Sequence, residues 1–505
     1  MDSYSQLMQI YRENVMLMSI GKVLSWDRYT VLPPAAESRR GEQQALLAQL
    51  MHRKLNSRKV GSLLDELESS DIYESLTPVQ KRNVYLIRIE HEKKTKVPDD
   101  LVGRLVKQRA IANRAREKAL ASEDWSLFEP EFVKLFSIHC ELAEHVVEIL
   151  DTDNLYDVSI EKFDHGMRTT HISSAFDELR SSLPQMIREY SAMCVGNRKD
   201  FLSRPVEQRD QIRIVKKLAS FIGYDLSSDE AYGRIGEGIH PVTIGVYNDV
   251  RILLNYKEDN LFRSCISFLH EAGHSLYNRN INEEWWYLPV GSKCSVTVSE
   301  AQARFTENLI GRSPEFMEYY LPLVNDVTHG VFEDVTPSEF ARAVNQVKPE
   351  PIRVISDEIS YNMHIIIRFE IERGLFDGEI EASEIPQVWS ELFEEYLGIE
   401  VDNDAIGPLQ DIHWGLGMFG YFPTYALGNL VAAQLAEAMT DDIPNWRDEI
   451  REGEASAVMN WMDRNVHKKG CLYDTPELLQ QVTGTELSSD SYINYIDSKF
   501  SELYK

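Results

Sequence analysis

The chain has 505 residues, 43% of them hydrophobic, and a formal net charge of −28 at pH 7. Hydrophobic content is ample for a large core, while the charge argues against nucleic-acid and anionic-membrane binding, both of which need clustered positive charge. Five scattered cysteines, Cys140, Cys194, Cys265, Cys294 and Cys471, form no CxxC pair, which speaks against a disulfide framework and for a reducing compartment. The first residues, Met1 to Ser5, lack a basic region followed by an apolar core, so no signal peptide is expected. No apolar run reaches the length of a membrane span, and the expected location is cytoplasmic.

In chain order, most segments read as amphipathic helix: 4–25, 39–56, 128–150, 173–194 and 357–375. Thr77-Pro78-Val79-Gln80 has the form of a capping box with proline at the first helical position, and Thr336-Pro337-Ser338-Glu339 repeats it. Asp99 and Asp100 open a segment in which Leu101/Leu105 and Val102/Val106 recur at helical spacing. One region departs from this pattern. Residues 241–247 and 250–256 are β-rich, with Asn248-Asp249 between them, and predict two short strands joined by a tight turn. A free strand edge there could hold an extended peptide by main-chain hydrogen bonds. With no internal repeat, low-complexity tract or long linker, the simplest reading is a mainly α fold, one large helical body, with residues 1–505 as a single catalytic domain.

His270-Glu271-Ala272-Gly273-His274 lies in the apolar run Ile266 to Leu276, on a helix that should start near Asp259 or Asn260. Residues four apart share a helical face, so both imidazoles point the same way, with a glutamate beside them to take a proton from an attacking water. Two satisfied core histidines are the plain alternative. Burying two imidazoles and a carboxylate in so apolar a helix without a compensating ion would be costly. A catalytic zinc takes a third protein ligand. Glu300 is the best candidate, on a helix predicted from Val298 to Ile310, with Arg304 and Glu307 on roughly the same face as groups to orient the ligands. Glu283 and Glu284 are nearer in sequence but lie in a Trp-rich loop. Metal and Glu271 together would activate water for peptide hydrolysis, and Glu271 would pass the proton to the leaving amine. For the tetrahedral oxyanion, His413 and Tyr421 are the preferred donors, from the stretches 407–414 and 420–425. A carboxypeptidase also needs a cation for the terminal carboxylate, for which Arg353 and Arg251 are candidates.

Together these motifs resemble the carboxypeptidase Taq family of thermostable metallocarboxypeptidases. The ordered set comprises Trp26-Asp27 with Pro33-Pro34, Asp249-Val250-Arg251, the HExxH, Glu300-Ala301-Gln302 with Arg304, Glu307-Asn308 and Gly311-Arg312, then Ile352 to Glu358, and Gly407 to Trp414. The resemblance covers almost the whole chain. It implies a helical fold with a deep groove, related to the neurolysin-like zinc peptidases, and a homodimer. It also implies one divalent metal per chain (zinc, with cobalt effective) and stepwise removal of C-terminal residues from peptides with a free C-terminus, with broad preference and little action beside proline. Carried over, His270, His274 and Glu300 look like metal ligands and Glu271 the general base. Arg251, Arg353, Gln410, Asp411 and His413 match the family's substrate and transition-state motifs. Four positions depart from the family pattern: Ser299 stands where histidine is usual, Ala301 and Leu253 replace a serine and a threonine, and Ser356 replaces an alanine. Two other readings are an oligopeptidase that cuts internal bonds of short peptides and a non-catalytic scaffold of the same fold.

Overall fold

Thr77 and Thr336 each close a full capping box in the computed structural model, which describes residues 2–197 and 199–505. The helices they start, Pro78–Lys96 and Pro337–Val344, belong to a largely helical architecture carrying one three-stranded sheet. Five other segments expected to be helical are so: Ser3–Thr30, Glu37–Leu55, Glu129–Val146 (followed by a 3-10 turn, Val147–Leu150), Thr169–Met193 and Ser360–Asp377. Asp99 opens the helix Asp99–Ser122. No helix among the described residues is long and apolar enough to cross a membrane.

The sheet has the order β1-β3-β2, with β1 at Gly233–Glu237, β2 at Val242–Val246 and β3 at Asp249–Leu254. β2 and β3 are the expected antiparallel hairpin, but the turn sits one residue earlier than expected, at Tyr247-Asn248. Tyr247 takes a left-handed φ of 59° there. Its ring stacks on Trp286 at 4.9 Å and its hydroxyl donates to the Gly291 carbonyl at 2.8 Å, contacts that hold the unfavourable backbone. β1 was not expected. It runs parallel to β3, and its sequence, with two glycines and two charges in five residues, has no alternation to read.

Two apolar cores lie on either side of one helix, Pro423–Asp442. Val431, Leu435 and Met439 join the core that contains the HExxH helix, Leu261–Asn280, while Leu427, Leu430 and Ala433 join the core built on Phe132, Leu179, Ile366 and Trp389. From Pro423 to Ala436 it is almost wholly buried and mostly apolar, as a helix between two cores requires, while Glu437 and the helix end are exposed. A smaller core joins Leu7 and Met8 of the first helix to Leu64 and Val84.

Glu300 is carried between these layers on the helix Val296–Arg304, capped by Ser295, whose hydroxyl accepts from the Val298 N–H at 3.0 Å. Two glycines set its spacing. A Cβ on Gly273 would lie 2.4 Å from the Gln302 carbonyl oxygen, so the HExxH helix touches the Glu300 helix backbone to backbone. A Cβ on Gly428 would lie 2.5 Å from the Glu300 Cγ, so the Pro423–Asp442 helix closes on the other side. Gly428→Ala is expected to cost about 1–3 kcal/mol through overpacking. A lower thermal midpoint of the metal-free protein checks this; an unchanged midpoint means that the neighbouring helices give way.

Candidate active site

Asn260 caps the HExxH helix, its side chain accepting from the Arg263 N–H, so the helix starts as the sequence predicts. His270 and His274 lie one turn apart with ring centroids 5.0 Å apart. Ligand atoms of His270, His274 and Glu300 all fall within 4.8 Å of one another. Each imidazole is fixed through Nδ1: His270 bonds the Glu307 carboxylate at 2.8 Å and His274 the Ser299 hydroxyl at 3.0 Å. Nε2 of each ring is therefore the atom left for a metal. Glu300 Oε1 accepts from Arg304 Nε at 2.8 Å, and its Oε2 stands 3.7 Å from His274 Nε2. Two nitrogens and one oxygen around a common point fit a divalent metal with an open position. Glu283 and Glu284 take no part. They lie in a short 3-10 turn, and Glu283 pairs with Arg279 at 3.3 Å.

Ser299, where the family pattern has histidine, thus holds His274. Glu307 reaches His270 because the helix widens after Arg304 into a π-helical turn, Phe305–Ile310, rather than continuing as the expected α-helix to Ile310. Arg304 bridges Glu300 and Glu307, donating to the latter at 3.1 Å. The charges interlock. Burial works against protonated His270, but its hydrogen bond to Glu307 and the nearby Glu300 and Glu271 outweigh that and raise it to about 9. Glu307 is held well below the usual carboxylate range, since Arg304 and His270 overcome its burial. Burial and the His270 charge hold His274 neutral.

Glu271 is 7% exposed, and burial raises its pKa. Thr243 of β2 donates to its Oε2 at 2.8 Å, tying the edge strand to the HExxH helix. Register then decides the place of Arg251. Thr243 pairs with Ile252 and Ile244 with Arg251, so Arg251 points to the opposite face of the sheet from Glu271. There it pairs with Asp249 at 2.7 Å and lies over Trp26 at 5.4 Å, and the structure does not bring it to the metal-ligand cluster. Leu253, in place of the family's threonine, is buried on that face, and Ala301 is buried at the close contact with Gly428.

Arg353, Gln410, Asp411 and His413 form a second cluster. Arg353 donates to Asp411 through Nε and Nη2 at 3.0 and 2.7 Å, and through Nη1 to the Tyr361 hydroxyl at 2.9 Å. Its backbone N–H donates to Gln410 Oε1 at 2.8 Å, and buried Arg368 donates to the other Asp411 oxygen at 2.7 Å. His413 Nε2 is 3.3 Å from the Tyr425 hydroxyl, and burial lowers its pKa to about 4, so the ring is neutral. Tyr421 packs 5.3 Å from His413, its pKa raised to about 12 by burial and by Glu300. Tyr361 joins the clusters, with Arg304 over its ring at 4.6 Å. Ser356 is only half-buried as a residue, but its hydroxyl oxygen is shielded and without a hydrogen-bond partner.

Glu372 is a functional-site residue that the sequence did not reveal. Fully buried, it accepts from Trp414 Nε1 at 2.8 Å, the Gly420 N–H at 2.8 Å and the Tyr156 hydroxyl at 2.7 Å, and so pins both ends of the segment that carries His413 and Tyr421.

An HExxH helix, a facing glutamate and oriented imidazoles in a helical body define a metal-dependent peptide hydrolase. A family model described as carboxypeptidase Taq (M32) metallopeptidase matches residues 6–500, and the chain belongs to that family. It is 32% identical to thermostable carboxypeptidase 1 of Thermus thermophilus over 99% of both chains, and 31% identical to carboxypeptidase 1 of Bacillus subtilis over 98% of this chain and 96% of that one. Its fold is similar to the crystal structure of the M32 carboxypeptidase from Deinococcus radiodurans, with a TM-score of 0.94 at 31% identity over 99% of both chains. The Pyrococcus furiosus carboxypeptidase matches with a TM-score of 0.93 at 27% identity, again over 99% of both chains. The chain is therefore a metallocarboxypeptidase.

Burial raises Glu372 from 4.5 to about 7. A carboxyl raised on folding binds its extra proton in the native state between those values, so its contribution to stability falls as pH rises from about 4.5 to about 7. Glu372→Gln should therefore be more destabilised, relative to wild type, at pH 5 than at pH 7.5. Denaturation midpoints of the two proteins at both pH values check this; a difference that does not change with pH means that Glu372 is ionised throughout.

Proposed function

We propose that this protein removes C-terminal residues from peptides with broad preference, using one divalent metal, zinc in the first instance with cobalt a working substitute, held by His270, His274 and Glu300. The observation that carries the proposal is the convergence of those three ligand atoms beside Glu271. The bound cation would supply Lewis-acid activation of the water and of the scissile carbonyl. Glu271, fixed by Thr243 through one oxygen and made more basic by burial, takes the proton of the attacking water and passes it to the leaving amine. Tyr421 keeps its proton at neutral pH and, with neutral His413, donates to the oxyanion as charge develops there.

Arg353, Asp411 and Gln410 serve substrate binding by positioning. Arg353 spends its donors on Asp411 and Tyr361 and fixes the segment bearing His413. Residues 1–505 act as one catalytic domain, since both large cores share the Pro423–Asp442 helix. The family resemblance supports a homodimer. Five free cysteines, four of them buried, support a cytoplasmic location.

Glu271→Gln should retain the metal and lose about two to four orders of magnitude in turnover. Single-turnover assays with metal analysis read both quantities, and near wild-type turnover removes Glu271 as the base. Glu300→Ala should lose its metal on dialysis against a chelator; full retention puts the third ligand elsewhere. Amidating the C-terminus of a peptide should abolish its cleavage, whereas equal rates on acid and amide would make the protein an oligopeptidase.

A further inference from the structure

A cavity of about 330 Å³ lies beside this site and takes no part in the chemistry above. Its walls include Tyr11 of the first helix, Tyr85 and Lys93 of the helix Pro78–Lys96, Lys162 and Lys293. It meets the active site at two points. Lys293 lies two residues ahead of Ser295, the cap of the Glu300 helix, and its ammonium acts electrostatically on Glu300 and His274. Lys162 precedes Phe163, whose ring meets Tyr421 edge-on at 4.9 Å.

The carboxylates in the wall are committed to other groups. Glu161 bonds Arg168 at 2.8 Å, the Gly166 N–H at 3.1 Å and His165 at 3.1 Å, with Lys93 at 3.8 Å. Asp474 pairs with Arg82, and Glu90 with Lys94. Among the described residues, neither Lys162 nor Lys293 has a carboxylate within ion-pair distance. Crowding and mutual repulsion support the same picture: Lys162 is pushed down to about 8 by burial and by Arg109 and Lys93, and Lys22 of the first helix to about 8 by burial and by Lys293. A protein of net charge −28 thus gathers ammonium groups around this cavity, with Lys293 near the metal ligands, an arrangement complementary to an anion. The two arginines suited by type to a carboxylate are engaged with Asp411 and Asp249.

We infer that this cavity receives the leaving residue of the substrate, with Lys293 and Lys162 binding a carboxylate of that residue. The inference rests on the peptidase reading above. The carboxylate has two possible sources, the terminal α-carboxylate or an acidic side chain. Tyr11, Tyr85 and Ile89 give the rest of the leaving residue an apolar wall.

Calorimetry on metal-loaded Glu271→Gln protein reads binding without turnover, using N-acetyl-Ala-Ala-Ala, its C-terminal amide and N-acetyl-Ala-Ala-Glu. Adding Lys293→Met should weaken the free acids by about 10- to 100-fold, the range of a charge-assisted pair, and leave the amide within a few-fold. Loss confined to the Glu peptide would support the cavity with the side chain as its carboxylate source. Lys162→Met should give the same pattern more weakly. Unchanged affinity for all three probes in both lysine variants overturns the inference. Lysine-dependent binding by a metal-loaded wild-type protein that hydrolyses no peptide would support the cavity and remove the peptidase reading. Unchanged kcat/KM in both lysine variants of an active enzyme would do the reverse.

Discussion

Everything at this centre depends on two helices approaching until their backbones touch. The contact at Gly273 admits only a hydrogen, and Thr306 donates across it to the Leu269 carbonyl at 2.7 Å. Any larger residue at that point would separate the helix that supplies two imidazoles from the helix that supplies the carboxylate. Gly428 applies the same constraint from behind, so Glu300 is clamped rather than merely attached. A ligand set fixed in this way spends little binding energy on ordering itself when the metal arrives.

A second constraint is charge. Arg304 and Arg368 are ionised groups within largely apolar layers, and each persists because carboxylates face it. Arg304 holds Glu300 and Glu307, Tyr361 lies between Arg304 and Arg353, and Asp411 takes both Arg353 and Arg368. A continuous run of paired groups therefore extends from the metal ligands to the segment carrying His413. Glu372 stands at its far end without an arginine partner and anchors that segment through three neutral donors. The geometry of the oxyanion donors and that of the ligands are in this way set by one network.

Features with a local signature were legible in the sequence. Capping boxes announced two helices, apolar periodicity announced several others, and helical spacing was enough to select Glu300 and to group Arg304 and Glu307 with it. Features that arise from long-range pairing were not. β1 is short, rich in glycine and parallel to a strand that follows it, so no alternation betrays it. The face to which Arg251 points depends on strand register, and the engagement of Arg353 depends on Asp411, 58 residues away. Ser299 was visible only as a missing histidine; that its hydroxyl would meet His274 follows from the helix contact, not from the motif.

The widened turn at Phe305–Ile310 has a meaning for descent as well as for chemistry. A π turn is what an α-helix becomes when it absorbs one extra residue, and removing that residue lets the helix revert. In a lineage, then, a single-codon deletion between Glu300 and Glu307 would leave every named ligand in place while turning Glu307 away from His270. Over this interval the number of residues matters to the surroundings of His270 as much as their identity does. A gap in an alignment of relatives at this point would mark a changed histidine environment more surely than most substitutions would.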